Sequence, residues 1–373
     1  MMFKLPRRRF AAQLSTITLA TAVGAPALAG DDSPSSFREG KIFTSTNATS
    51  GNELLVFAAG GGGDLALVAR AATNGQGTGA GLGSQGAVTL SSDGRYVFVV
   101  NAQSNSITTF ALRDAGLELM SVVDSGGLQP TSVAEHDGLV YVLNAGAAGN
   151  VAGFRNSQGE LHPLAHSSRG LSAAGGTAPA QVGFGADGEL LVVTERTTNR
   201  ITSYPVRRNG TLGPAVVTAS SGATPFGFAF DRRDNLIVSE APGSAASSYR
   251  FDVRTATPKL LSASVPNTQA AACWVAITPN GRFAYTANAG SSSLSSYRIA
   301  RSGRIELVNA VAGSTGVNAG ALDITVSPDG RRLFALASRS RQIVAFQIGF
   351  VGNLGTLGAG SGLPAGSAGV AAN

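Results

Sequence analysis

Glu195 and Arg196 stand side by side at the end of the apolar run LLVVTER, and Glu240 closes a similar run, LIVSE. A carboxylate at a strand end beside a cation can take a proton from water and return it, which is the work of a general base. The competing reading of both glutamates is a solvated loop carboxylate. Trp274 and Asp323 each sit near the start of an apolar run. Trp274 is the single tryptophan, able to stack on a ring-shaped ligand or simply to fill space. Other constellations are weak. His162 and His166 are four apart with Pro163 between them, and His136 lies in a turn, so zinc has no ligand set. Aspartate, glutamate and asparagine oxygens leave a hard cation open, but no cofactor or metal site is assigned. Cys273 is the single cysteine, which excludes an internal disulfide and suits a small buried hydrophobe. Gly81-x-Gly83-x-x-Gly86 has dinucleotide-binding spacing, yet it precedes a strand and opens no helix, so it reads as a linker. Neither G-x-S-x-G nor H-E-x-x-H occurs.

The elements that must position these residues form a repeat. TLSSDGRYVFVVNA, SVAEHDGLVYVLNA, VGFGADGELLVVTE, GFAFDRRDNLIVSE, VAITPNGRFAYTAN and DITVSPDGRRLFALAS share one pattern: strand, polar turn, strand. Each is followed by a strand carrying an aromatic: Phe110, Phe154, Tyr204, Tyr249, Tyr297 and Phe346. A seventh, degenerate copy opens at KIFTSTNA and continues to Phe57. Aligning Asn47, Asn101, Asn144, Thr194, Ser239, Asn288 and Ala337 gives a period of about 48 residues, that of a four-stranded propeller blade. Asp-Gly and Asn-Gly pairs fall where the first strand turns into the second, as tight hairpins require. The expectation is an all-β, seven-bladed propeller over residues 41–373. The first copy lacks an inner strand, and the tail GLPAGSAGVAAN resembles the start of a repeat. Residues Ala368 to Ala372 are therefore expected to close the ring from the C-terminal end, leaving no long free edge.

Residues 1–29 read as an export signal, with Lys4 and Arg7-Arg8-Arg9 before an apolar stretch and Ala27-Leu28-Ala29 as the cleavage pattern. Arg7-Arg8-Arg9-Phe10 fits the twin-arginine type. Residues 30–40 read as a linker. The whole chain carries +6, but the leader holds four basic residues and no acidic ones. What remains is 24 basic against 22 acidic residues, scattered along the chain, which excludes a nucleic-acid footprint. No later segment approaches the ~20 apolar residues of a membrane span. The expected location is periplasmic or secreted.

The strings YVFVVNAQSNSITTF, YVLNAG and FAYTANAGSSSLSSY resemble the YVTN-type repeats of the lactonase-like seven-bladed propellers, a family that includes 6-phosphogluconolactonases and carboxymuconate cycloisomerases. The resemblance spans residues 41–373. It implies a functional face where inner strands begin and second strands end, and a cofactor-free reaction that opens or forms a sugar or muconate-type lactone. The family's corresponding repeat reads P-R-H-x-x-F-x-P-D-G, then V-x-N-E. Here Glu195 matches the glutamate, while Ala180 and Gln181 stand where the arginine and histidine do. The resemblance implies Glu195 as base with Gln181 beside it, and strand position adds Arg196, Glu240, Trp274 and Asp323 around a small lactone or carbohydrate-like ligand. The alternative is a non-catalytic propeller that has lost the Arg-His pair and binds a ligand or a protein on the same face.

Overall fold

The computed structural model describes residues 40–60 and 63–373; the expected leader lies outside them. Among the described residues every regular element is a strand, and the strands form seven antiparallel sheets, the blades of one propeller. Blade 1 runs outward from Ala368–Ala372 through Lys41–Ser45, Glu53–Ala59 and Leu65–Ala72. The C-terminal strand thus closes the ring as expected. Ile42 pairs with Ala372 and Phe43 with Ala371. The hydroxyls of Thr44 and Ser45 donate to the carbonyls of Gly369 and Ala368 at 2.7 and 2.9 Å. Blades 2 to 7 run outward in chain order from inner strands Val88–Leu90, Pro130–His136, Pro179–Phe184, Pro225–Phe230, Ala272–Ile277 and Ala321–Val326.

The packing follows from the repeat. Second strands such as Tyr96–Asn101 and Leu190–Glu195 are buried along their whole length, because both faces lie between neighbouring blades. The third-strand aromatics Phe57, Phe110, Phe154, Tyr204, Tyr249, Tyr297 and Phe346 are all buried, each contributing roughly 1.5–3 kcal/mol of apolar transfer. The phenols find partners: Tyr204 donates to the Gly170 carbonyl at 2.7 Å and Tyr297 to that of Val265 at 3.1 Å. The turns behave as their sequences demand. Gly94, Gly188, Gly281 and Gly330 take positive φ, the backbone region that glycine adopts without a Cβ penalty.

The ends of the second strands correct the sequence alignment. Asn101, Asn144 and Asn288 are final residues of their strands, but the residues structurally equivalent to them in blades 4 and 5 are Glu195 and Glu240, not Thr194 and Ser239. A one-residue slip moves a side chain to the opposite face of a strand. Asn288 shows what this position does: its amide donates to Ser293 and Ser295 while its carbonyl accepts from Asn267. The position fastens second strand, third strand and inter-blade loop together.

Inner strands carry a second regularity. Pairing with the second strand slips between Pro130 and Ser132, Pro179 and Gln181, Pro225 and Phe228, Ala272 and Trp274, and Ala321 and Ile324. Such a bulge re-aims the side chains beside it. In blade 7 the residues freed from the ladder are Leu322 and Asp323.

Candidate site in the central channel

The linker containing Gly81, Gly83 and Gly86 enters the channel, which its sequence did not reveal. Although it belongs to blade 2, it bonds to four other blades. Ser84 Oγ donates to the Thr131 carbonyl of blade 3 at 2.7 Å, and the Gln85 amide N–H donates to the Ala180 carbonyl of blade 4 at 3.0 Å. The Gln85 side chain forms a two-handed bond with Val275 of blade 6, donating to its carbonyl at 2.7 Å and accepting from its N–H at 3.0 Å. The Gly86 N–H points at Asp323 of blade 7, 3.4 Å from Oδ2. Only a segment on the axis can reach all four. Its closeness explains Gly227, where a Cβ would lie 2.2 Å from Gln85 Oε1.

This crossing divides the channel. On the side where inner strands begin, a chamber of about 210 Å³ is lined by Leu82, Ser84, Trp274, Leu322, Asp323 and Ser367 among others. On the other side, two adjoining cavities of about 340 Å³ each share Gln85, Gln181, Gly183 and Thr325, and Asp323 lines one of them.

Trp274 and Asp323, placed together by the inner strands, share the first chamber. The Trp274 ring is fixed in orientation, since its Nε1 donates to the Ser84 carbonyl at 2.9 Å and Phe226 lies against it at a centroid distance of 5.0 Å. Arg196 extends the stack, its guanidinium 5.3 Å from the Phe226 ring centroid. Its Nε donates to the Ala178 carbonyl at 3.0 Å, and among the described residues no carboxylate pairs with it. Burial lowers its pKa from the usual arginine range. Asp323 is 3% exposed. Its Oδ1 accepts from the Ile324 N–H at 2.9 Å. Burial pushes its pKa up to about 7, against the opposing pull of backbone N–H groups of Gly86, Ile324 and Val370. The desolvation penalty on the charged form outweighs those donors.

Glu195 and Glu240 stand elsewhere, and this alters the expectation for them. Glu195 is completely buried and accepts from four donors: the Ser172 N–H at 3.0 Å, the Ser172 hydroxyl, Thr198 Oγ1 at 2.8 Å and Thr202 Oγ1 at 2.6 Å. Two carboxylate oxygens offer about four lone-pair sites, so none is left for a water to be activated. Glu240 is likewise buried, accepting from the Gly222 N–H at 2.8 Å and the Ser247 hydroxyl. Gln181 lines the far cavities, but its amide bridges blades 4 and 5: it accepts from Phe228 N–H at 2.7 Å and donates to the Phe228 carbonyl at 3.0 Å. Sequence reasoning missed Ser84, Gln85 and Phe226. The only signal for the first two was the glycine spacing around them.

The sequence profile of the family described as Lactonase, 7-bladed beta-propeller matches residues 50–167, 139–275 and 262–368. The chain belongs to this family. Among solved structures, this lactonase-family propeller is similar to the periplasmic gluconolactonase of Pseudomonas aeruginosa, with a TM-score of 0.70 and 19% identity over 89% of this chain and 99% of that one. A candidate 6-phosphogluconolactonase from Bacteroides fragilis gives a TM-score of 0.70 and 17% identity over 91% and 99%. An inactive variant of virginiamycin B lyase from Staphylococcus aureus is more distant, at a TM-score of 0.53 and 15% identity over 72% and 82%. At these identities the likeness is one of fold. No curated protein matches the chain in sequence. No helix among the described residues is long and apolar enough to cross a membrane.

Proposed function

We propose that the protein is an exported lactonase that opens a small lactone in the chamber under Trp274, with Asp323 as general base. The observation that carries the reading is the Asp323 carboxyl, re-aimed to the axis by a bulge and lining a chamber beside a locked indole ring. A carboxyl whose pKa lies near neutrality is matched to moving protons at neutral pH. The Asp323 carboxylate takes a proton from water, the water oxygen attacks the lactone carbonyl, the ring C–O bond breaks, and the leaving oxygen recovers the proton from Asp323. Trp274 supplies the flat surface for the ring, and Arg196 places a positive charge behind the Phe226–Trp274 stack that supports it. Glu195 acts by position: it holds Ser172 in the loop that presents the Ala178 carbonyl to Arg196. Family membership supports the reaction class, and the basic leader read from the sequence supports export.

The test is a panel of small lactones with proton release followed in weak buffer. Turnover should rise as pH increases through about 7, and Asp323→Asn should lower it by about 10²-fold or more. Undiminished turnover in Asp323→Asn would remove Asp323 from the role. One observation favours a second reading, a propeller that binds without reacting: Gln181 stands in the histidine's place with its amide already bonded to Phe228. Saturable binding by a protein that turns over no lactone would establish it.

A further inference from the structure

Asp323 lines both the chamber beneath Trp274 and the cavity on the opposite side of the channel. Between the two lie the 84–86 crossing and the Gln85–Val275 bridge. The aspartate is therefore the ionisable group common to the two compartments. We propose that the far side of the channel is the proton outlet of the site: Asp323 collects protons from the Trp274 chamber and releases them to water on the opposite face of the propeller. This rests on the lactonase reading above.

The need for an outlet follows from the balance of the reaction. Water adds across the lactone to give a hydroxy acid; once Asp323 has returned its proton to the leaving oxygen, its carboxylate takes the proton of the product's carboxyl O–H, so each turnover leaves one proton to be removed. The Trp274 chamber is small and holds the product while this happens. Behind its lining residues Ser84 and Trp274 stands the Gln85–Val275 bridge, which faces the far cavities and whose donors and acceptors are already paired. Asp323 bypasses that bridge, because it lines both compartments and its Oδ2 lies at the Gly86 N–H where the crossing ends. The far cavities, about 340 Å³ each, hold room for water, and among their largely apolar lining residues the polar side chains of Gln85, Gln181 and Thr325 belong to both. The other carboxylate there, Glu135, is already engaged by the N–H groups of Ser92 and Gly138 at 2.6 and 2.7 Å.

The test blocks the outlet after folding. Thr325→Cys changes little in volume, and the native Cys273 is buried, its thiol pushed up to about 12, so a bulky methanethiosulfonate reagent should label position 325 alone. The expected result is a fall in kcat of tenfold or more with KM unchanged, restored when the label is removed by reduction. Full labelling by mass spectrometry with undiminished kcat would overturn the proposal. So would failure of the folded variant to label, since the cavity would then not be open to that face. Asp323→Asn separates the two claims. Turnover lost in Asp323→Asn but kept in the labelled Thr325→Cys protein ends the outlet and leaves the base in place. A protein inactive on every lactone ends both.

Discussion

At the scale of single residues, two carboxyls illustrate opposite uses of burial. Asp323, held only by backbone N–H groups, stays protonated to higher pH than an exposed aspartate; Glu195 is tied down by one backbone N–H and three hydroxyls and serves as a fastening. The Asp323 shift has a thermodynamic sign. Its folded pKa lies above its unfolded one, so between about pH 4 and about pH 7 the folded protein binds more protons than the unfolded chain. Stability from this group is full below about pH 4 and lost as pH rises through about 7, by up to about 4 kcal/mol. Denaturant melts of Asp323→Asn against wild type should show the variant gaining in relative stability across that window. Equal pH dependence in the two proteins would contradict the shift. For Glu195→Gln, the carboxamide nitrogen would face hydroxyl and amide donors. The substitution should cost roughly 1–3 kcal/mol, read as a lower melting temperature, with turnover falling only as far as the Arg196 loop loosens.

At the scale of elements, the repeat and its closure were legible in the sequence because they rest on local chemistry. Alternating apolar residues, Asp-Gly turns and one aromatic per third strand recur whatever the tertiary context. The site was legible only in part. Trp274 and Asp323 were marked by their place at inner-strand starts, and both line one chamber. The glutamates could not be placed, because a one-residue bulge or slip reverses which face a side chain joins, and bulges leave no mark in hydrophobic periodicity. The 81–86 crossing was read as a linker because glycine spacing reports freedom of the backbone, not where the backbone goes. Gln85→Ala tests what that crossing does. It removes the paired donor and acceptor of Val275 and leaves a void on the axis, so stability should fall by about 2 kcal/mol. Because the bridge holds the backbone next to Ser84 and Trp274, which line the chamber, the KM for a lactone should rise with it, while a variant with unchanged melting and unchanged KM would show the crossing to be a passive connection.

At the scale of the whole molecule, the ring is held by packing and hydrogen bonds, since one cysteine permits no internal disulfide. Every blade buries its second strand between two neighbours, so each blade's core depends on the next being present. The closure is where this dependence is most exposed to a single cut. Ala368–Ala372 contributes five buried residues and, among the described residues, the only strand that pairs the inner side of Lys41–Ser45. Val370 and Ala372 pack with Leu336 and Phe334 of blade 7, while Ala371 packs with Val88 of blade 2. Without it, Ile42 and Phe43 would meet water and the backbone of Lys41–Ser45 would become a free edge. The same strand carries Val370, whose N–H helps hold Asp323, so ring closure and site are physically joined. A chain ending after Gly360 should therefore lose its single cooperative unfolding transition and, with it, all lactone turnover. Adding the missing segment as a separate peptide should restore both, because strand pairing and burial need no covalent link to act. A truncated protein that melts in one sharp transition at the full-length temperature would mean that the ring closes by contacts other than this strand.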